Sequence, residues 1–166
     1  MAVASKIISP IVTPGLTQTD NTARVPLGTI VHTDAGGVAE YVYAISELSQ
    51  YAFCLVFDGF TAQMATTTLA NDNGAGAKKI GCPQASIASA YYGWVMRQGV
   101  FVGRFSDDCA DNVPLFTTAV AGELDDQTVS NCLVAGVYLN TTASLATALT
   151  CYAGLPMSVV PYTNPA

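Results

Sequence analysis

The residues of this chain that could carry out nucleophilic chemistry are its serines and cysteines, with its histidine as the base. A serine or cysteine nucleophile needs a base beside it, and His32 is the only histidine among the 166 residues. His32 lies two residues before Asp34, so in a strand the two side chains share a face and could form an ion pair. No G-x-S-x-G sequence surrounds a serine. We therefore expect a surface or interface histidine, and we expect that the chain is not an enzyme.

The cysteines lack the spacing of a metal site. Zinc sites usually combine two short ligand pairs such as C-x-x-C, and no two cysteines here are close in sequence. In a reducing compartment, cysteine behaves as a small buried hydrophobe. We expect buried thiols, with one disulfide formed later outside the cell as the alternative. The five residues are Cys54, Cys82, Cys109, Cys132 and Cys151.

Two other stretches approach the pattern of a ligand-binding loop without completing it. The acidic run at 106–112 lacks the glycine of a calcium loop, and Thr118 stands near the place of its bidentate glutamate. The run at 74–79, GAGAKK, lacks the phosphate-loop spacing, and Ile80 replaces the hydroxyl residue that binds magnesium. We expect both runs to be solvated loops, with no metal and no cofactor.

The charge balance argues against several classes of partner. The chain carries six Lys plus Arg and twelve Asp plus Glu, a formal net charge of −6. Nucleic-acid binding and anionic membranes both require a basic surface, and Lys78 and Lys79 are the only basic pair. No apolar run is long enough to span a bilayer, and the start does not resemble a signal peptide. We expect no nucleic-acid or membrane partner, and synthesis in a cytoplasm without export.

The low proportion of charged residues indicates a chain that buries much of its surface. Charged residues make up 11% and hydrophobic residues 51% of the sequence, whereas about a quarter of an average globular chain is charged. A free monomer normally keeps a more charged surface for solubility. We therefore expect the chain to bury much of its surface, either internally or against partners.

Apolar runs separated by turn residues predict a mainly β chain. The runs 27–32 and 38–45 predict a hairpin, with Tyr41 and Tyr43 on one face of its second strand. The run 52–57 is apolar on both faces, which predicts a fully buried strand. Further strands are predicted at 61–65, 79–87, 93–105, 115–119, 133–139 and 157–160, loops at 66–77 and 123–126, and short helices at 46–50 and 143–153. The expected fold is a small β-barrel or β-sandwich of short antiparallel strands, with an extended N-terminal arm and at most one or two short helices.

The prolines divide the chain into an arm and a domain. Pro10, Pro14 and Pro26 lie in residues 1–26, which predicts an extended N-terminal arm. Residues 27–166 form a single β-rich domain with a Pro-rich tail from about 156 to 166. The arm is either a frayed terminus or a segment that lies along a neighbouring subunit. The second possibility would cover its apolar residues, Ile7, Ile8, Ile11 and Val12.

The region around residue 95 supplies the remaining interface candidates. Gly93 and Gly99 predict a turn with positive φ and a β-bulge, respectively. Aromatic residues and methionine are enriched in interface cores, although these could simply belong to the core of the chain. Arginine could pair with an acidic group on a partner. These candidates are Tyr91, Tyr92, Trp94, Met96, Arg97 and Arg104.

The segment 80–101, IGCPQASIASAYYGWVMRQGVF, resembles a pattern that recurs in the capsid decoration proteins of tailed bacteriophages, also called cement or head-stabilising proteins. In that pattern, small residues precede a glycine that opens an aromatic or aliphatic strand, and a Gly-Val pair follows. Gly81, Ile87, Gly93 and the Gly99-Val100 pair occupy those positions. The resemblance extends over about residues 27–140.

The resemblance implies a structural virion protein. Such a protein would bind the major capsid protein on the outer surface of the capsid as a homo-oligomer, expected to be a trimer, and stabilise the shell. It would be made in the cytoplasm of the bacterial host. The leading alternative is another virion component, such as a head-fibre base, a tail component or a host-binding module. A hydrolase or carbohydrate-binding domain with paired carboxylates is a third reading.

Overall fold

The computed structural model describes residues 15–71, 78–127, 132–145 and 147–161. Strands make up 50% and helices 6% of the chain, and the strands belong to one large mixed sheet. The predicted fold class is confirmed, although the sheet is not a clear barrel.

Ten strands, one short helix and one 3-10 turn make up the described structure. The strands are β1 (Ile30–His32), β2 (Val38–Ala44), β3 (Cys54–Val56), β4 (Thr61–Met64), β5 (Lys78–Pro83), β6 (Tyr92–Phe105), β7 (Leu115–Thr117), β8 (Leu124–Asp125), β9 (Cys132–Leu139) and β10 (Thr147–Pro161). The helix α1 is Thr67–Asn71, and the 3-10 turn is Asp58–Phe60.

The pairing of the strands closes two circuits that share β6. In the first circuit, β2 pairs with β4, β4 with β3, β3 with β5, β5 with β6, and β6 with β2. In the second, β6 pairs with β8, β8 with β7, β7 with β9, β9 with β10, and β10 with β6. The contacts of β2 with β4 and of β6 with β8 are parallel, and the other contacts are antiparallel. Strand β6 therefore belongs to both circuits, and a direct pairing of β5 with β10 also joins the two halves of the molecule.

The predicted hairpin and the predicted buried strand are both present. Strands β1 and β2 pair antiparallel with Val31 opposite Ala39. All three residues of β3 are buried. This strand is covered on both faces because Leu55 packs in the larger core cluster, while Cys54 and Val56 pack in the smaller one.

The described part of the predicted arm, residues 15–26, packs against the domain. Leu16 is buried in the larger core cluster. The main chain of Asp20 forms an antiparallel bridge with Tyr92 at the start of β6. The limit of the arm at residue 26 stays a prediction, and Ile7, Ile8, Ile11 and Val12 lie outside the described residues.

Both helix predictions were wrong. Residues 46–50 contain a bridge and a turn, and 147–153 belong to β10, which continues through the start of the predicted tail to Pro161. The two threonines of the second segment, Thr147 and Thr150, favour a strand. The short helix α1 instead lies in the predicted loop 66–77, whose residues 72–77 are outside the described part. Strand β8 was also missed, and it pairs with β7 where a loop was predicted.

The backbone conformation of Gly93 and the position of the bulge near Gly99 differ from the prediction. Gly93 does not have a positive φ; instead, a Cβ atom there would lie 2.6 Å from Cδ1 of Ile87. The bulge falls at Arg97, just before Gly99, because Val38 pairs with Gln98 while Ala39 pairs with Met96. Gly99 itself has a φ of 102°.

We expect Gly99→Ala to lower the free energy of unfolding by about 3 kcal/mol, because it combines a disfavoured φ with a clash. A Cβ atom at residue 99 would lie 2.5 Å from Cα of Gly37. The matched control is Gly36→Ala, which has a φ of 74° but no atom within 4 Å of the new Cβ. Its expected cost is about 1 kcal/mol. Equal losses in urea unfolding would contradict the predicted close contact between the hairpin and β6.

Candidate functional site

The outer side of β6, β9 and β10 carries a row of exposed side chains around two tyrosines. Tyr152 lies directly opposite Tyr138 on one side and opposite Val100 on the other. Tyr138 is 51% exposed and Tyr152 is 45% exposed. Directly opposed residues of antiparallel strands have their side chains on the same face, so the three form one continuous row.

Strand alternation extends this row into a surface, which we call the tyrosine face. Residues two apart in a strand share a face, and the strand register places Val102 opposite Thr150 and Arg104 opposite Ala148. Ala148 and Thr150 are exposed. The tyrosine face therefore consists of Val100, Val102, Arg104, Tyr138, Ala148, Thr150 and Tyr152.

Arg104 is the single charged residue of the tyrosine face. It is exposed, as an interface candidate should be. Its guanidinium lies close enough to Glu123 to lower the pKa of that carboxyl, although burial has the larger effect and the pKa of Glu123 is raised overall. Arg104 thus has an acidic neighbour in its own chain and remains accessible to a partner.

The aromatic candidates lie away from this surface. Trp94 and Met96 belong to the core of the chain, which was the alternative reading for them. Tyr92 is half-buried, and its ring centroid lies 5.1 Å from that of Tyr43 and 6.2 Å from that of Tyr41. Tyr91 is half-buried against the smaller core cluster.

Arg97, the remaining candidate, lies inside the chain and forms an ion pair there. As the extra residue of the bulge it is buried together with its neighbour Met96. Its Nε atom lies 3.2 Å from Oε2 of Glu40, and its guanidinium also donates to the carbonyl of Ile80. Burial lowers the pKa of Arg97, and the carboxylate of Glu40 opposes that shift.

Lys79 completes a charge network at the junction of β2, β5 and β6. Its Nζ lies 3.1 Å from Oε1 of Glu40 and 5.0 Å from the centre of the Phe60 ring. The Glu40 side chain is 3% exposed, whereas that of Lys79 is 51% exposed. One buried carboxylate is thus paired with one buried and one partly solvated cation.

We expect Arg97→Met to lower the free energy of unfolding by about 3–5 kcal/mol, because it leaves the carboxylate of Glu40 buried with its buried partner removed. The matched control, Lys79→Met, removes the half-exposed cation and should cost less than about 1 kcal/mol. The double variant Glu40→Gln with Arg97→Met should recover most of the loss. If Arg97→Met and Lys79→Met gave equal urea midpoints, the importance of the buried pair would be refuted.

The five cysteines are buried and free, as predicted. Burial raises the pKa of Cys54 to about 12, an effect that Arg97 partly offsets. Burial also raises the pKa of Cys82 and Cys151. A protonated, buried thiol is a poor nucleophile, so these side chains act in packing.

Cys109 lies beside two carboxylates. Its Sγ and carboxylate oxygens of Asp125 and Asp126 all lie within 4.8 Å of one another, a grouping that could hold a metal ion. Burial, followed by the charges of Asp126 and Asp125, raises the pKa of the Cys109 thiol to about 12. Ligation would therefore have to displace a firmly held proton. Asp126 already accepts a hydrogen bond from the main-chain N–H of Ala110 at 3.1 Å.

The raised thiol pKa values predict a loss of stability in alkali. An unfolded thiol titrates near 9.0, while folded Cys54 titrates at about 12. Each buried thiol with a raised pKa contributes its full share of the free energy of unfolding below pH 9. That share is lost between pH 9 and about 12, by at most about 1.4 kcal/mol per pH unit. Unfolding midpoints should therefore fall above pH 9. Cys54→Ala should flatten that fall, and an unchanged slope would count against the assignment.

Sequence reasoning missed Tyr138, Tyr152 and Glu40. Tyr138 could have been found from the alternation in the predicted strand 133–139. Tyr152 was hidden by the mistaken helix at 143–153. Glu40 carried no signal, since nothing in the sequence shows that both faces of β2 are covered.

No protein-family model matches the chain, and no curated protein matches it with significant similarity. Among the described residues, no helix has both the length and the apolar character needed to cross a membrane.

Proposed function

We propose that this protein is a structural virion component that binds the outer surface of a phage capsid as a homo-oligomer, a trimer, and stabilises the shell. The observation that carries the proposal is the tyrosine face, a nearly uncharged sheet surface on which five of the seven side chains are exposed, while Val100 and Val102 are half-buried. The resemblance of segment 80–101 to decoration proteins supports the same reading. The major capsid protein would be the partner.

The chemistry of the tyrosine face suits protein binding. Tyrosine offers a large contact area with few rotatable bonds and a hydroxyl group that can hydrogen-bond at the rim. Threonine, alanine and valine beside it incur little desolvation cost, because they carry no charge. Arg104 at one end is the residue type most suited to pairing with a carboxylate of a partner.

Binding of this kind would stabilise a shell by mass action. A protein that binds the assembled shell but not its separated subunits shifts the equilibrium towards the shell. Contacts repeated around a closed ring increase the total affinity through multivalency. Weak individual contacts are then sufficient, and no catalytic group takes part.

The proposal predicts saturable binding of the purified protein to capsids that lack it, and a higher disruption temperature for the decorated capsids. Cosedimentation gives the copy number, and a thermal challenge gives the stabilisation. Failure to bind any shell would refute the proposal and favour a tail or host-binding role.

Within this proposal, we expect Tyr138→Glu combined with Tyr152→Glu to weaken capsid binding at least tenfold, about 1.4 kcal/mol or more, because two charges would be placed in the contact. The control adds the same charge at exposed positions elsewhere, Asn21→Glu with Thr22→Glu. Unfolding midpoints of both variants test that the fold is kept. Equal affinities of the two variants would exclude the tyrosine face as the contact surface.

A further inference from the structure

Gly154 is a strand glycine that its own main chain does not require. It belongs to β10, and its φ lies outside the left-handed region that favours glycine. A glycine inside a strand weakens the strand, and it often marks a place where another group approaches closely. The conformation of the main chain therefore leaves this glycine unexplained.

The space that a side chain at residue 154 would fill is taken by the ring of Tyr152. A Cβ atom there would lie 3.2 Å from Cε1, 3.8 Å from Cζ and 3.6 Å from the hydroxyl oxygen of that tyrosine. Residues two apart in a strand share a face, and these three atoms belong to the far end of the side chain. The ring therefore leans along β10 so that its far end lies over the glycine.

Three other strand glycines make room for the core of the chain. A Cβ atom at Gly81, Gly93 or Gly103 would lie 2.5–2.7 Å from a buried side chain. Tyr152, in contrast, is 45% exposed. Gly154 thus makes room for a side chain of the tyrosine face and not for the core.

The main chain of Gly154 is held by a side chain of β6. The pairing of β6 with β10 ends at Gly99 and Ala153, and the pairing of β9 with β10 is interrupted between Ala153 and Ser158. At this point Nε2 of Gln98 donates to the carbonyl of Gly154 at 3.0 Å. The main chain beneath the tyrosine ring is therefore held in place although the strand pairing is interrupted there.

We propose that Gly154 is a positioning residue of the tyrosine face, which gives the Tyr152 ring the place over β10 in which it meets the capsid. This inference rests on the proposed function, because it assigns the glycine to the same binding surface. A side chain that is already placed before binding loses less conformational freedom when the complex forms. Gly154 thereby raises the affinity through Tyr152.

A larger residue at position 154 should displace the ring without weakening the fold. A new Cβ atom would meet the movable end of an exposed side chain, so the ring can turn away. Alanine requires a shift of a few tenths of an ångström, whereas the branched side chain of valine requires a larger one. Neither residue is less suited to a strand than glycine. Gly154→Ala and Gly154→Val should therefore unfold at the same urea concentration as the unaltered chain, or at a higher one.

The first test locates the ring by NMR. In the unaltered chain, one α-hydrogen of Gly154 points where the Cβ atom would be, so it should show a nuclear Overhauser effect to the ring protons of Tyr152. The ring should also shift the signal of that hydrogen upfield, and Tyr152→Ala should abolish this shift. Absence of both signals in the unaltered chain would overturn the proposal.

The second test measures affinity for capsids that lack the protein, by cosedimentation. Gly154→Val should bind about fivefold more weakly and Gly154→Ala about twofold, because the ring must find its place on binding. In a Tyr152→Ala background, Gly154→Val should have no further effect, since the glycine acts through the ring. An equal loss in both backgrounds would show that the valine acts by direct contact, and the positioning role would be wrong.

The remaining outcomes separate this inference from the proposed function. Binding of the unaltered chain with an unchanged affinity of Gly154→Val would reject the positioning role alone. A clearly lower urea midpoint of Gly154→Ala would show that the fold itself requires the glycine, and would also reject the positioning role. Failure of the unaltered chain to bind any shell would reject both proposals.

Discussion

Strand β6 has a paired strand beside it along its whole length, with β2 beside residues 92–98 and β10 beside residues 99–105, and the rest of the molecule is arranged around these pairings. Over 14 residues it pairs with β2, β5, β8 and β10. An unpaired buried amide is costly. The strands that pair with β6 satisfy its buried amides, and every circuit of paired strands passes through β6. Close packing around β6 also explains why it contains glycine. A Cβ atom at Gly103 would lie 2.5 Å from the ring of Phe53.

A charged side chain lies inside this chain although it has so few charges. Arg97 is the extra residue of the bulge in β6, and structure covers both faces of the strand at residues 93–97, so its side chain is buried. Burial of the guanidinium then requires a carboxylate, which Glu40 of the neighbouring strand supplies. The pair also ties β2 to β6 and to the carbonyl of Ile80 in β5, so it acts at the point where the first circuit closes.

The two halves of β6 also account for the location of the candidate interface. Residues 93–97 are all buried, because structure covers both sides of the strand there. Beyond Gly99 the pattern returns to alternation, with Phe101, Gly103 and Phe105 inside. The outward residues of this half, together with those of β9 and β10, form the tyrosine face. An apolar, weakly charged surface of this kind is characteristic of an interaction site.

Several features followed from local sequence. The hairpin of β1 and β2, the wholly buried β3 and the five buried thiols were all predictable, because apolar runs, turn residues and the absence of short cysteine pairs are local signals. Arg104 was also selected from the sequence and does lie on the exposed face. In contrast, β8 has two residues and a single register pair with β6, which no periodicity can reveal.

The sequence by itself determined a mainly β chain with buried cysteines. It also determined that the chain has few charged residues and an unusually large apolar surface to bury. Tertiary structure alone decided that residues 147–153 are a strand, since pairing with both β6 and β9 outweighs a helical spacing of two leucines. It also decided that Arg97 is internal while Tyr138 and Tyr152 are exposed side by side. The physical reason is that the burial of a side chain depends on which strands lie beside its own and what packs above them, and those neighbours are distant in sequence.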